Sequence, residues 1–519
     1  MGRAMIWALA GLAATTASFA PALNRGDHAI AADAAAACSA LAQPGRFPKT
    51  KVLEAALKSA GESQAFCEVV GEVSPVAGSK IGVVFRMPER WNGKVIGIGG
   101  GGKAGNVRLE GDSGAISYLA RGYATLQTDA GHPSADSRDN TWAALPNGEA
   151  NVQALEDFAY RAVHWTAVVG KQVAAAHYGR APEHAYFQGC STGGRQALAS
   201  VQRYPEDYEG VIAGAPAFAN RPLASMIMAG RAFADPASKP SKAQISLIND
   251  SVLAACDAND GLKDGLVTEP LKCAWDPKVL ACKPGRSGDA CLTPAQVAGV
   301  RTVYQDHHAA DGTLVTFGLP KGSELSSYDF FVTPTRDIQY VWGMHHQAAG
   351  LERDADLDLS KNDPVANYAG ERNALSNVLI YSENPDISPF MRRGGKLLMW
   401  TGTYDQLIPA RSTYDYFEAM RRVTDVQLKA GASKIEVADR TRLFTAVGVS
   451  HCGGGAGPGR FDALSALEAW VERGEAPSQL VASDPEGAAP RRSRPMCQYP
   501  ALPRYKGGDP NSAASFTCG

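Results

Sequence analysis

The chain has 519 residues, 45% of them apolar and 20% charged, with a formal charge of −2. That length exceeds one ordinary compact domain and implies two domains, or one domain carrying a large insertion. The composition is that of a soluble globular protein, and the near-neutral charge gives no reason to expect nucleic acid or an anionic membrane as partner.

The first residues read as a signal peptide. Arg3 supplies a short positive region, and residues 5–20 (MIWALAGLAATTASFA) are apolar and rich in small side chains. Cleavage could follow Ala20, Ala22 or Ala31. The strongly apolar part is too short and too rich in Ala and Thr for a stable membrane span, and no later segment is long and apolar enough. Residues 1–31 are therefore expected to be signal peptide and linker, and the mature protein to be soluble and secreted or periplasmic. Ten cysteines in an exported chain suggest disulfides. Proximity favours Cys38–Cys67, Cys256–Cys273, Cys282–Cys291 and Cys497–Cys518, although sequence alone does not fix pairing. Cys190 and Cys452 are left over. Zinc is disfavoured because no pair has C-x-x-C spacing.

Residues 81–87 (IGVVFRM), 94–98 (KVIGI) and 123–128 (YATLQT) are short apolar runs expected to be strands. The second leads into Gly99-Gly100-Gly101-Gly102. Residues 151–178 carry apolar side chains at helical spacing. Residues 184–188 (HAYFQ) form another strand pattern, a helical pattern restarts over 196–203, and 210–214 (GVIAG) is a further strand. This alternation argues for a mostly parallel sheet covered by helices. Residues from about 218 to 384 lose the alternation and are rich in Asp, Gly, Pro and cysteine pairs. A strand pattern returns at 395–400 (GKLLMW). The expected organisation is an α/β-hydrolase core in two parts, 32–217 and 385–519, interrupted by an inserted lid at 218–384.

Gly189-Cys190-Ser191-Thr192-Gly193 matches G-x-S-x-G, in which the serine occupies a sharp strand-to-helix turn that only flanking glycines permit. A serine hydroxyl is a poor nucleophile and needs a histidine to take its proton and an acid to orient that histidine. This fold places them later, in the order serine, acid, histidine. Asp405 follows the returning strand, and His451 is the only histidine beyond it. Cys190 directly precedes Ser191 and Cys452 directly follows His451, so a bond between the two leftover cysteines would hold base and nucleophile in register. The oxyanion hole should use the N–H of Thr192 and one from the glycine run, with Gly101 the best single choice. Asp129 and His132 follow a strand on the same side and could support the site. His345 and His346, beside Trp342, could line an acyl pocket, although packing within the lid is the plainer reading.

Three features resemble the tannase and feruloyl esterase family, which includes the mono(2-hydroxyethyl) terephthalate hydrolases. They are Gly-Cys-Ser-Thr-Gly-Gly-Arg at 189–195, Arg-Gly-Gly-Lys-Leu-Leu at 393–398 and His451-Cys452. The resemblance runs from about Cys38 to the C-terminus. It implies an α/β-hydrolase core, a lid after the nucleophile region, a disulfide joining the neighbours of serine and histidine, and hydrolysis of esters of aromatic acids. It also implies a calcium ion in the lid, with Asp257, Asp260 and Asp264 giving side chains and Leu262 and Leu266 giving carbonyls. The residues suit that reading. Three carboxylates lie within eight residues, among glycines that let the chain fold round a cation. The role expected is structural, far from the bond-breaking step. Thr192 is the residue of many tannase and feruloyl esterase relatives. The terephthalate-ester enzyme has an acidic residue there, which counts against that specialised activity. A peptidase or acyltransferase could use the same triad, because the pocket chooses the bond. A non-catalytic calcium-stabilised binding protein would need a degenerate triad, and this one is intact.

Overall fold

The computed structural model describes residues 33–60, 63–111, 114–134, 141–147, 149–219, 221–326, 363–366 and 379–519. The signal-peptide segment at 1–31 and the lid residues Trp342, His345 and His346 lie outside the described residues.

Eleven strands form one sheet: β1 Thr50–Ala60, β2 Ser63–Val73, β3 Ile81–Pro88, β4 Lys94–Ile98, β5 Ala124–Thr128, β6 His184–Cys190, β7 Gly210–Gly214, β8 Lys396–Gly402, β9 Thr441–Ala446, β10 Gln479–Ser483 and β11 Ser493–Gln498. Their spatial order is β1-β2-β3-β5-β4-β6-β7-β8-β9-β11-β10. The run from β5 to β9 is parallel throughout, with antiparallel strands added at both sides. Helices cover both faces of this parallel centre, which explains why its strands read as unbroken apolar runs. Successive side chains alternate between faces. Val95, Phe187, Val211, Leu397 and Met399 join one core cluster. Ile96, Tyr186, Ile212, Leu398 and Trp400 join the other. Helix α1 (Ala162–Tyr178) lays Val163, Ala167 and Val173 on the first face. The helix Ala463–Arg473 lays Leu464, Leu467 and Trp470 on the second. This is the α/β-hydrolase arrangement.

Several elements differ from the sequence reading. The helical stretch before β6 is broken into Val152–Glu156, a π-helical turn Asp157–Arg161, and α1. Helix α2 (Thr192–Arg203) begins directly after Ser191, four residues earlier than the apolar pattern indicates. The hairpin β1–β2 was not expected from sequence. TKVLEAALKSA is rich in helix formers, and its solvated position leaves little apolar alternation to read.

Between β7 and β8 the chain leaves the sheet, yet these two strands are hydrogen-bonded neighbours, with Lys396 opposite Gly210. The intervening segment packs its own core from Phe233, Ile245, Ile248, Val252, Trp275, Val300 and Val303. Its helices Lys242–Cys256 and Pro294–Tyr304 each begin with a capping box, Ser241 with Gln244 and Thr293 with Gln296. Tyr404, just past β8, is fully buried in this second core.

The parallel centre leaves no room for side chains where the glycine run crosses α2. A Cβ on Gly99 would lie 2.5 Å from the Gly193 Cα and 3.1 Å from the Gly189 Cα. These are backbone atoms and cannot swing aside. The Gly99→Ala variant is therefore expected to lose about 1–3 kcal/mol of unfolding free energy in urea titration, with a sheet-rich circular dichroism spectrum retained.

Candidate active site

Strand β6 ends at Cys190 and α2 starts at Thr192, so Ser191 alone makes the turn. Its φ is 63° and ψ −122°, a conformation that costs a non-glycine residue of order 1–3 kcal/mol. The surroundings hold it there. The Ser191 N–H donates to the Gly214 carbonyl at 3.0 Å, and its own carbonyl accepts from the N–H groups of Arg195 and Ala217, each at 3.0 Å. A Cβ on Gly189 would sit 2.5 Å from the Gly193 carbonyl carbon, and one on Gly194 2.4 Å from the Gly214 oxygen. The motif's glycines are thus required by backbone contact on both sides of the serine.

Asp405 lies beyond β8 and is fully buried. Its Oδ1 accepts the N–H groups of Leu407 at 3.0 Å and Ile408 at 2.8 Å. Both carboxylate oxygens face His451 Nδ1, at 3.0 and 2.9 Å. With Nδ1–H donated to Asp405, Nε2 carries the lone pair available for a proton. His451 follows β9, in a loop where Gly448, Cys452, Gly453, Gly454 and Gly455 all have positive φ. Cys452 and Cys190 are bonded, with Cα atoms 5.9 Å apart. Ser191 and His451 each stand one residue from that bond, a Cα step of about 3.8 Å. The other four pairs are Cys38–Cys67, Cys256–Cys273, Cys282–Cys291 and Cys497–Cys518.

The glycine run lies against the start of α2. The Thr192 hydroxyl donates to the Gly102 carbonyl at 2.5 Å. The Gly99 N–H is taken by the Gln188 carbonyl at 2.9 Å, and the Gly100 N–H by the Gln196 side chain at 3.0 Å. Those two amides are committed, which turns attention to Gly101. Gln196 was not singled out in the sequence, and a polar residue in the first turns of α2 carries no signal by itself.

Arg195 was quoted only as part of a motif, and its role is structural. It is 1% exposed and donates to the carbonyls of Phe158 at 3.0 Å, Ala159 at 2.7 Å and Ile380 at 3.0 Å. The first two belong to the π-helical turn, whose widened ladder frees carbonyls for outside donors. Burial lowers the Arg195 guanidinium to about 10. Asp129 and His132 do not join the serine, acid and histidine. Asp129 accepts the N–H groups of Gly82 at 2.9 Å and Gly131 at 2.8 Å, and burial raises its carboxyl to about 6. His132 stacks on Trp142 at 3.9 Å and its Nε2 meets the Lys103 carbonyl at 2.5 Å. His132 thus braces the residue that follows the glycine run, while the Asp129 carboxylate ties its own turn to β3.

The aspartate loop is bracketed by Cys256–Cys273. Asp257 accepts the N–H groups of Asp264 at 3.2 Å and Gly265 at 3.0 Å. Asp260 accepts from the Leu262 N–H at 3.0 Å and the Thr268 hydroxyl at 2.6 Å. Burial holds the Asp260 carboxyl above its usual range, and the charges of Asp264 and Asp257 push the same way. Asp264 Oδ2 pairs with Arg494 at 2.5 Å, while its Oδ1 is buried without a partner. The orphaned Asp264 oxygen is the feature that suits a cation. Among the described residues the set of ligand atoms lying within 4.8 Å of one another is a different one, His164, Glu206 and Asp207. The three aspartates of the loop are not drawn that close. The loop is also nearer the acid and base than its sequence position indicates. The Val267 N–H donates to the Tyr404 hydroxyl at 2.7 Å, one residue before Asp405. A Cβ on Gly448, three residues before His451, would lie 2.8 Å from a Leu266 methyl.

A strained serine at the end of a central parallel strand, with an Asp–His pair beyond the next strands, defines an α/β-hydrolase with a serine-centred site. The profile "Tannase and feruloyl esterase" matches residues 67–519. A probable feruloyl esterase of Arthroderma benhamiae is 33% identical over 84% of this chain and 82% of its own length. The mono(2-hydroxyethyl) terephthalate hydrolase of Piscinibacter sakaiensis is 31% identical over 89% and 86%. The crystal structure of feruloyl esterase B from Aspergillus oryzae superposes with a TM-score of 0.81 at 26% identity, covering 94% of this chain and all of that one. The chain belongs to the tannase and feruloyl esterase family and is a carboxylic ester hydrolase.

The Cys190–Cys452 bond spans 262 positions. Its removal restores chain entropy to the unfolded state and should cost roughly 5 kcal/mol. The Cys190→Ser/Cys452→Ser double variant is expected to unfold at markedly lower temperature. Its kcat should fall more than its KM rises, because it loosens the serine–histidine spacing rather than a binding wall.

Proposed function

We propose that this chain hydrolyses esters of aromatic acids, hydroxybenzoic or hydroxycinnamic, by a two-step acyl transfer to water. His451 Nε2 takes the proton of Ser191 Oγ, which attacks the ester carbonyl. The Thr192 and Gly101 N–H groups stabilise the tetrahedral oxyanion, each such donor supplying a factor of about 10²–10³ in rate. The alcohol leaves with the proton from His451. Water, deprotonated by the same imidazole, then releases the acid. The observation that carries this reading is the bidentate His451–Asp405 contact on a loop bonded through Cys452 to the neighbour of the strained serine. The acyl class is taken from the feruloyl esterases to which the chain is similar. A second reading is cleavage of a terephthalate monoester, favoured by the 31% identity to the hydrolase of that name.

Ser191→Ala is expected to lower kcat by on the order of 10⁴–10⁶ and to abolish labelling by a fluorophosphonate probe. A panel of methyl gallate, methyl ferulate, methyl p-coumarate and the terephthalate monoester, with matching amides, identifies the acyl group and separates esterase from peptidase. Near-normal turnover by the alanine variant excludes the mechanism.

The loop of Asp257, Asp260 and Asp264, with the carbonyls of Leu262 and Leu266, is proposed to hold one structural Ca²⁺. The ion would satisfy the orphaned Asp264 oxygen and neutralise the carboxylates. The five disulfides and the leader composition support export to an oxidising compartment. Among the described residues no helix is long and apolar enough to cross a membrane. Chelator treatment is expected to lower Tm by several degrees, restored by Ca²⁺ but not by Mg²⁺. An unchanged Tm, with no calcium found by elemental analysis, refutes the site.

A further inference from the structure

The glycine run continues into a residue that the ester-cleaving mechanism leaves unused. Lys103 follows Gly102, whose carbonyl receives the Thr192 hydroxyl. Its own carbonyl is fixed by His132. The side chain is folded inward, and the residue is only 6% exposed. Buried lysines are normally paired with a carboxylate. Among the described residues none pairs with Lys103. The charge that acts on its ammonium is Arg195 on α2, and His132 meets its carbonyl. The carboxylates of that region are Asp129, whose own carbonyl accepts the Gly105 N–H, and Asp157, whose charge acts on Asp129. Asp129 is engaged with Gly82 and Gly131, and Asp157 with Ser79 and Arg161. Arg195 is another cation, answered by three neutral carbonyls. Two buried positive charges without acids thus flank the start of α2, whose N-terminus is itself positive.

An uncompensated charge kept out of water is unfavourable in the resting protein. It becomes favourable when a negative charge forms nearby, and the low local dielectric strengthens that attraction. On the acyl-transfer reading, negative charge forms on the tetrahedral oxyanion at the glycine run, which Lys103 directly follows in the chain and whose Gly102 carbonyl holds Thr192. We infer that Lys103 is a positioning residue of the oxyanion hole, its ammonium stabilising the intermediate through the backbone of the glycine run rather than by touching substrate. The inference rests on the acyl-transfer reading above.

Burial, reinforced by the Arg195 charge, lowers the Lys103 ammonium to about 7. Its contribution is therefore present below pH 7 and is lost as pH rises through 7. Lys103→Met removes the charge at similar volume. Lys103→Arg keeps a charge that does not titrate in this range.

The experiment measures kcat and KM from pH 5.5 to 9 on a neutral ester, methyl ferulate, and an anionic one, the terephthalate monoester. Folding is checked by near-ultraviolet circular dichroism. At pH 6 the methionine variant should lose about tenfold in kcat on both esters, equivalent to about 1.4 kcal/mol, with KM little changed. The decline of kcat/KM above pH 7 should vanish in both variants, at low activity in Lys103→Met and near wild-type activity in Lys103→Arg. Wild-type kcat and pH profile in Lys103→Met overturn the inference. So does a loss confined to KM for the anionic ester, which makes Lys103 a substrate-binding group, or an arginine variant as slow as the methionine one. If the methionine variant does not fold, the arginine variant alone decides, since an unmoved alkaline decline overturns the proposal and its disappearance supports it. Fluorophosphonate labelling of Ser191 in the same samples separates this outcome from failure of the serine mechanism.

Discussion

At Ser191 the backbone is held where an ordinary side chain resists going, and the geometry of the site follows from how that is done. The turn survives because Gly189, Gly193 and Gly194 let three backbone segments touch without side chains between them. The same contact brings Gly99 and Gly100 onto the start of α2, so the nucleophile and the glycine run share one packing surface. Gln196 then fixes that run by taking the Gly100 N–H. A donor pair aimed at an oxyanion must be in place before the charge appears. On the proposed mechanism that preorganisation comes from backbone packing, the buried Gln196 amide and the Thr192 hydroxyl on the Gly102 carbonyl.

Arg195 extends the restraint outward. It ties α2 to the π-helical turn and to Ile380, where the chain approaches β8 on its return. The residue four positions after the nucleophile therefore senses both the helix before β6 and the far side of the insertion. A neutral donor could not satisfy three carbonyls in so confined a space, whereas the guanidinium fork can. The consequence is a buried charge with no acid beside it among the described residues, next to a loop that already contains Lys103.

Much of this was legible in the sequence where a chemical requirement fixes residue types at short spacing. The elbow needs glycines around the serine, the base must follow the acid, and leftover cysteines beside Ser191 and His451 mark where distant segments meet. The central strands were legible because burial on both faces writes continuous apolar runs. What escaped was written in partners rather than in patterns. β1 looks helical in isolation and is a strand because β2 pairs with it from Thr50 to Ala60. β11 contains Pro495, which argues against a strand. It is tolerated because pairing with β9 is confined to Gln498 and Cys497, leaving no ladder on that side at Pro495. The Arg195 clamp and the Tyr404 anchor join segments far apart in the chain, and no local signal announces them.

The aspartate loop was expected to lie far from the bond-breaking step, and its contacts bring it against the neighbours of Asp405 and His451. Tyr404 belongs to the core of the inserted segment while Asp405, the next residue, belongs to the site. Leu266 and Val267, at the end of the aspartate loop, rest against Gly448 and Tyr404. Arg494 of β11 pairs with Asp264 from the sheet side. The imidazole is thus located by strands β8 and β9 beneath it, by the Cys190–Cys452 bond at its flank, and by the aspartate loop behind it. Each restraint acts on a different neighbour of His451 or Asp405. On the proposed mechanism, a displacement of any one would turn Nε2 away from the serine, and the aspartate loop would bear on turnover through orientation without contributing an atom to the reaction.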